Sequence, residues 1–442
     1  MRLGAIAKTL MTCHVANQRR FFTYVFSALV FCLLAVSLLA ADTAEPPPWK
    51  VNKPIVTVKK ELFYKHPRPL AAATGYDEYI GPKLERKETR ALEVADDVSG
   101  ESTAKFSTDN GRTWADFQAV EDHSPELKGL GGGPTVYDPN SGVLVGMFMR
   151  QYSLGTTWNN FTYYRYSRDF GRTWTKPKQL TYEPGEEFDQ KNPLKPGFLQ
   201  KNQAYRGCNI EICRNGTLVH CVAFANAPND PNNDKQTWRM GSLCFVGKWD
   251  PKAEDYNWKA GKRVEISPDV SSRGLMEPEV AELKDGRLLV VWRGSDTPKT
   301  PGRKWFSISK DGGLTLTDPA EWKYDDGSQF YSPSAWHRML RHSVSGKLYW
   351  FGNICPEPPE GNWPRYPLII AEVDEKTAAL KRSTVTAIDD RKPGQSNRLQ
   401  FSNFSLLENR ETHELEMLLT IYSEDPSDWR NADCYKYTLT LK

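Results

Sequence analysis

Three features of the chain predict an all-β fold, a six-bladed β-propeller with four antiparallel strands to a blade. The first is a repeat. A turn followed by Gly-x-Leu and an apolar run recurs as "SGVLVGMF" around Gly142, "NGTLVHCVAF" around Gly216, "DGRLLVVW" around Gly286 and "SGKLYWFG" around Gly346, at steps of 74, 70 and 60 residues. The second is the texture between the turns: apolar runs are short, rich in Val, Leu, Tyr and Trp, and bounded by Gly, Asn, Asp and Pro, with no sustained 3.6-residue period. The third is one octapeptide written three times, as "STDNGRTW" at 107–114, "SRDFGRTW" at 167–174 and, worn down, "SKDGGLTL" at 309–316. A unit of this length is a small antiparallel sheet that cannot bury both faces alone, so successive units stack and the series closes into a ring.

In chain order, residues 1–41 form a separate object. Arg2, Lys8, Arg19 and Arg20 precede the run "FFTYVFSALVFCLLAVSLLA", which ends in small residues at Ala40 and Ala41, and no acid occurs before Asp42. This is the pattern of a secretory signal cleaved near Ala41, so the mature chain is expected to be exported; the membrane enters only if the segment stays as an anchor. Residues 42–53, "AEPPPWKVNK" within them, read as a Pro-rich linker, and 54–442 as a single propeller domain. "ETRALEVADD" at 88–97 serves as the first unit, and "HELEMLLTIY" from His413 as a last copy that has lost its glycine. The terminal "CYKYTLTLK" is expected to share a blade with "PIVTVKKELF" at 54–63 and so close the ring.

Without the leader, the balance of 58 Lys+Arg to 55 Asp+Glu becomes 54 to 55, so the basic character belongs to the signal. No basic block remains that would argue for a nucleic-acid partner. Six cysteines remain, Cys208, Cys213, Cys221, Cys244, Cys355 and Cys434, which are expected as buried thiols or one or two disulfides. Cys208 and Cys213 lack the second pair or histidines of a zinc site, so neither metal nor cofactor is expected.

The octapeptide explains itself physically. Its Gly admits a positive φ, its Asp carboxylate accepts backbone N–H groups of its own turn, and its Ser and Thr hydroxyls add local bonds. Trp114 and Trp174 are large apolar plugs suited to packing between sheets. Repetition argues against catalysis by Asp109, Asp169 or Asp311, because one active site does not need three equivalent acids in successive blades.

The pattern Ser-x-Asp-x-Gly-x-Thr-Trp is the Asp box, or BNR repeat, and three copies on a six-unit period resemble the sialidase (neuraminidase) superfamily over nearly all of the mature chain. The resemblance implies an exo-acting glycoside hydrolase with a substrate of sialic acid or a related acidic glycan. It implies an active site on the face away from the boxes: three arginines to grip a carboxylate, an acid/base Asp, and a Tyr nucleophile served by a Glu. "MEPEVAELKDGRLLVVWRGSD" at 276–296 is similar to the segment carrying that Glu and one arginine, which marks Glu277 and Arg293; a hairpin can bring both to one end of the blade. Arg68 in "HPRPLAAA" and Arg365 in "PRYPLIIAE" match the other arginines, and Asp96 or Asp97 in "LEVADD" falls where the acid/base is expected. Guanidinium forks suit a carboxylate, and a neutral phenol approaches an anionic sugar with little repulsion.

The last unit departs from the pattern. Where the nucleophilic Tyr is expected, "QFSNFSLLENRETHELEMLLTIYSED" has Phe401, Asn403 and Phe404, and its first Tyr is Tyr422. Tyr331 in "FYSPSAW" is another phenol in reach of the argument. Three readings therefore stand: a hydrolase of acidic glycosides, a glycosidase in which water attacks directly between paired carboxylates, and a propeller that binds carbohydrate or protein without catalysis.

Overall fold

The structure is a computed structural model that describes residues 46–96, 98–119, 130–154, 157–225 and 241–442. The leader and Asp97 lie outside the described residues. The chain divides into two units, Met1–Val51 and Asn52–Lys442; of the first, the described part holds the short helix Pro48–Val51. No helix among the described residues is long and apolar enough to cross a membrane.

The second unit is a ring of six antiparallel blades. The first blade runs Ala72–Tyr79, Arg86–Ala95, Val98–Ser107 and Ala115–Asp116 from the axis outward. The fourth runs Met276–Glu282, Leu288–Arg293, Lys304–Ser309 and Ala320–Glu321. In the sixth, the inner strands Phe404–Glu408, Leu415–Thr420 and Cys434–Leu441 are completed by Val56–Tyr64, which pairs with Cys434–Leu441 from Val56 opposite Leu441 to Tyr64 opposite Cys434. The expected ring closure by the first and last strands is what the register shows.

The turns that announce the units sit at one end of the blades. Gly142, Gly216, Gly286 and Gly346 join first to second strands at φ of 72°, 77°, 89° and 64°. In the copy without glycine, His413 takes the same place at φ 58°, a conformation that His adopts more readily than branched residues. The Asp boxes link third to fourth strands at this same end. In each, one carboxylate oxygen accepts the Thr N–H at 2.8–2.9 Å and the Ser hydroxyl at 2.7–2.9 Å, and the other accepts the Thr hydroxyl at 2.6–2.7 Å, for Asp109, Asp169 and Asp311 alike. The Ser hydroxyl takes the glycine N–H of its own turn at 2.7–2.8 Å. The hairpins satisfy their own polar groups, as their residue types require. Of the two tryptophans, Trp114 lines the groove between the first and sixth blades. Trp174 instead packs edge-on against Phe148 of its own blade, at 5.8 Å.

The core lies between blades. Val219, Cys221 and Cys244 of the third blade pack on Val280, Leu288, Val290 and Trp292 of the fourth, and Phe351, Leu368 and Ile370 of the fifth on Phe404, Met417 and Leu419 of the sixth. All six cysteines are buried free thiols, the first of the two states expected of them. The seam between sixth and first blades adds a polar cluster to its apolar contact of Ala73 with Leu418 and Cys434: Arg86, 3 % exposed, bridges Asp77 and Glu416, with the Glu416 bond at 2.8 Å, and Asn110 bonds Asn409 at 2.8 Å. Burial raises the Asp77 carboxyl to about 6 even though Arg86 holds it.

Candidate active site

Strand direction puts the residues marked in the sequence at the end opposite the boxes. Glu277 stands at the entry to the inner strand of the fourth blade; Arg293 ends the second strand, opposite Met276, and Lys304 opens the third, opposite Arg293. The pairing of first and second strands is interrupted by a bulge between Met276 and Glu279, and Glu277 itself is held at φ 43°. A bulge re-aims a side chain, and positive φ in a non-glycine costs on the order of 1–3 kcal/mol, so the rest of the blade must enforce it.

Arg293 is buried and its donors are nearly all engaged. Nη1 reaches both Glu277 oxygens at 2.8 and 2.7 Å, Nε the Ser334 hydroxyl at 2.8 Å, and Nη2 the Asn362 side-chain oxygen at 3.1 Å. The same Asn362 oxygen accepts Arg273 at 3.2 Å. Asn362 belongs to the loop between the second and third strands of the fifth blade, which also carries Arg365. Arg365 donates from Nε to the Asn362 carbonyl at 3.2 Å and from Nη1 to the Gln400 side chain at 2.7 Å. Lys304 is fully buried, its Nζ donating to the Ala335 carbonyl at 2.7 Å.

These groups act on one another electrically. Burial pushes the Glu277 carboxyl up, but the charges of Arg293, Lys304 and Arg365, with the Arg293 hydrogen bonds, outweigh it and hold the group below the usual range. Burial lowers the Lys304 ammonium to about 7, with Arg293 repelling it further and Glu277 opposing. Burial and the repulsion of Arg293 lower Arg273. A carboxylate held ionised in this way is suited to accept a proton, not to donate one, at neutral pH.

Of the residues marked in the sequence, Glu277, Arg293 and Arg365 share this cluster. Arg68 is half exposed and pairs with Glu101 at 3.1 Å, and Asp96 lies in an exposed turn of the first blade. No described contact joins either to Glu277. Arg273, Lys304, Ser334 and Asn362 were not marked. Arg273 stands four positions before Glu277, and Lys304 is a charged residue opening an apolar strand opposite Arg293, which is the signal a register argument offers. Asp296, three residues after Arg293, accepts the Gly361 N–H at 2.8 Å, one residue from Asn362. At the place expected for a nucleophilic phenol, Phe401 and Phe404 are core residues. Tyr331 is half-buried and its backbone pairs with Cys355. Tyr422 is buried with its hydroxyl donated to Glu93.

Comparison with known proteins agrees with the architecture. Residues 88–376 match the family model described as BNR repeat-like domain. The fold is similar to that of the NanB sialidase of Streptococcus pneumoniae, at 10% identity over 88% of this chain and 71% of that one, with a TM-score of 0.51. It is similar to the intramolecular trans-sialidase of Ruminococcus gnavus, at 12% identity over 86% and 97% of the two chains, with a TM-score of 0.51. An α-L-arabinofuranosidase of Fusarium graminearum aligns at 12% identity over 87% and 98%, with a TM-score of 0.50.

Proposed function

Because the chain belongs to the BNR repeat-like domain family and is a sialidase-like Asp-box propeller, we propose that it is an exported glycoside hydrolase that removes a terminal acidic sugar, sialic acid or a relative, from a glycan. The fold does not choose the sugar, since sialidases and an arabinofuranosidase share it. What supports the choice is charge: Glu277 is acted on by Arg293 and Arg365, Arg273 joins them through Asn362, and Lys304 adds a further charge only below about pH 7. An uncharged sugar leaves that excess of cations unneutralised.

The parts divide as follows. Arg293 spends its fork on Glu277, Ser334 and Asn362, so its role is to hold Glu277 ionised and aimed. Arg273 and Arg365 take the substrate carboxylate. Glu277 removes a proton from water, whose oxygen attacks the anomeric carbon as the glycosidic bond breaks; the leaving oxygen is protonated by a second carboxyl, for which Asp296 stands nearer in the bonded network than Asp96. The leader supports export, and N-terminal sequencing of the secreted form should begin near Asp42.

Turnover of a panel of aryl glycosides tests the reading. Sialosides or uronides should be cleaved and the arabinoside and galactoside left intact, with Arg365→Ala lowering kcat/KM on the acidic substrates by at least tenfold. Cleavage of the neutral sugars alone would sink the acidic-sugar reading. Binding of acidic sugars without turnover would leave a carbohydrate-binding propeller.

A further inference from the structure

Two loops run side by side on the face that carries Glu277. One is the segment after Asn353 that holds Asn362, Trp363 and Arg365; the other leads into the inner strand of the sixth blade through Arg398 and Gln400. A parallel bridge pairs Arg365 with Gln400, and the Phe401 N–H donates to the Arg365 carbonyl at 2.9 Å. Two residues earlier on each strand, the same register sets Trp363 beside Arg398. The half-buried indole is flanked by two guanidiniums, Arg365 at 5.5 Å and Arg398 at 5.1 Å from the ring centroid.

The two arginines differ in what holds them. Arg365 is tied to Asn362, Gln400 and Ser402 and belongs to the inner cluster. Arg398 is exposed, and among the described residues its guanidinium forms no ion pair. The acids of the neighbouring loop, Glu357 and Glu360, form none with it. An exposed guanidinium over an indole keeps its hydrogen-bonding edge directed at solvent while the ring supports its face, an arrangement suited to an anion carried on an adjacent group. The indole also offers apolar surface to the C–H face of a sugar ring.

We infer that Trp363 and Arg398 form a second subsite, which takes the sugar next to the terminal acidic one and reads an anionic substituent on it, a sulfate ester or a second carboxylate. The natural substrate is then a polyanionic glycan and not a singly charged one. The inference rests on the acidic-sugar reading of the inner cluster and adds a charge at a defined place beyond it.

The test is calorimetric binding to the full chain of two matched disaccharide pairs, sialyl-galactose and uronyl-N-acetylgalactosamine as uncleavable S-linked thioglycosides, each with and without a sulfate ester on the second sugar. A disialyl disaccharide supplies the carboxylate arm. A second anion should tighten binding about tenfold in the wild type. Arg398→Ala should abolish that increment while leaving the Kd of the singly charged disaccharides within twofold, and Trp363→Leu should weaken every disaccharide but not the free acidic monosaccharide. Whether sulfate or carboxylate gives the larger increment identifies the substituent. Equal affinity for sulfated and unsulfated members, or an Arg398→Ala loss equal in both, overturns the second subsite alone. Failure of every acidic disaccharide to bind overturns it together with the acidic-sugar reading.

Discussion

Replacing Lys304 by Met should reverse its effect on stability between acidic and alkaline pH. The side chain is fully buried, donates to the Ala335 carbonyl and shares its surroundings with Arg293, Glu277, Cys208, Arg365 and His337. Its ammonium is lowered from 10.5 to about 7 in the folded chain. Between those values the unfolded chain binds the proton that the native chain has released, so this lysine makes native stability rise with pH across the window. Below pH 7 both states are charged, and the folded one bears a penalty on the order of 5 kcal/mol. Met removes that penalty and forfeits one hydrogen bond, leaving the Ala335 carbonyl unsatisfied at about 1–3 kcal/mol. Urea unfolding of wild type and Lys304→Met should therefore show the variant more stable by about 2–4 kcal/mol at pH 6 and less stable by about 1–2 kcal/mol at pH 10. A stability difference that is flat over this range would refute the claim that burial lowers the Lys304 ammonium to about 7.

Two further outcomes follow from the geometry. Arg293→Lys keeps a charge but cannot serve Glu277, Ser334 and Asn362 at once, so kcat/KM on an acidic glycoside should fall by about 2–4 kcal/mol in transition-state terms. Because Arg293 is buried, the melting temperature should fall as well, and differential scanning calorimetry alongside kinetics separates the two effects. Asp169→Ala removes the acceptor of three bonds in a turn at the far end of the ring; thermal unfolding should show a loss of about 1–2 kcal/mol, while the affinity of the folded protein for an acidic sugar stays unchanged.

The propeller was legible because its signals are local. A Gly-x-Leu turn, an Asp box and a short apolar run each declare their geometry within ten residues, and even the copy lacking glycine proved to place His413 at the same positive φ. Glu277 and Arg293 were legible for a related reason, since one hairpin joins them and its register can be counted. Arg365 came from resemblance and does join the cluster. Arg273 and Asn362 were not legible, because the contact between them joins loops of different blades, 89 residues apart in the chain. No period of the sequence encodes which loop leans over which. The φ of 43° at Glu277 was equally hidden, since glutamate has no intrinsic preference that announces it. The polar seam formed by Arg86, Asp77 and Glu416 was invisible for a different reason: it joins the first blade to the last, across 330 residues of chain.

The repeated box carboxylates and Glu277, at opposite ends of the ring, are satisfied in different ways. At the end with the boxes, the carboxylates of Asp109, Asp169 and Asp311 are each satisfied by their own turn, and substitution of one affects one hairpin. At the other end, Leu70, Glu277 and Asn403 stand near the entries to inner strands of three different blades at φ of 60°, 43° and 63°, with no repeat motif to favour the conformation. At this end the Glu277–Arg293 pair of the fourth blade is tied to its neighbours through Asn362 of the fifth blade, which accepts from Arg293 and Arg273, and through Arg365, which donates to Gln400 at the entry to the sixth. Strain of this kind costs stability that a repeat fold has no structural need to lose. Glu277 combines that strain with a bonded network across blades, so it is the place where this chain departs from its own pattern, and the groups around it, Arg273, Arg293 and Arg365, are of the type that binds an anion.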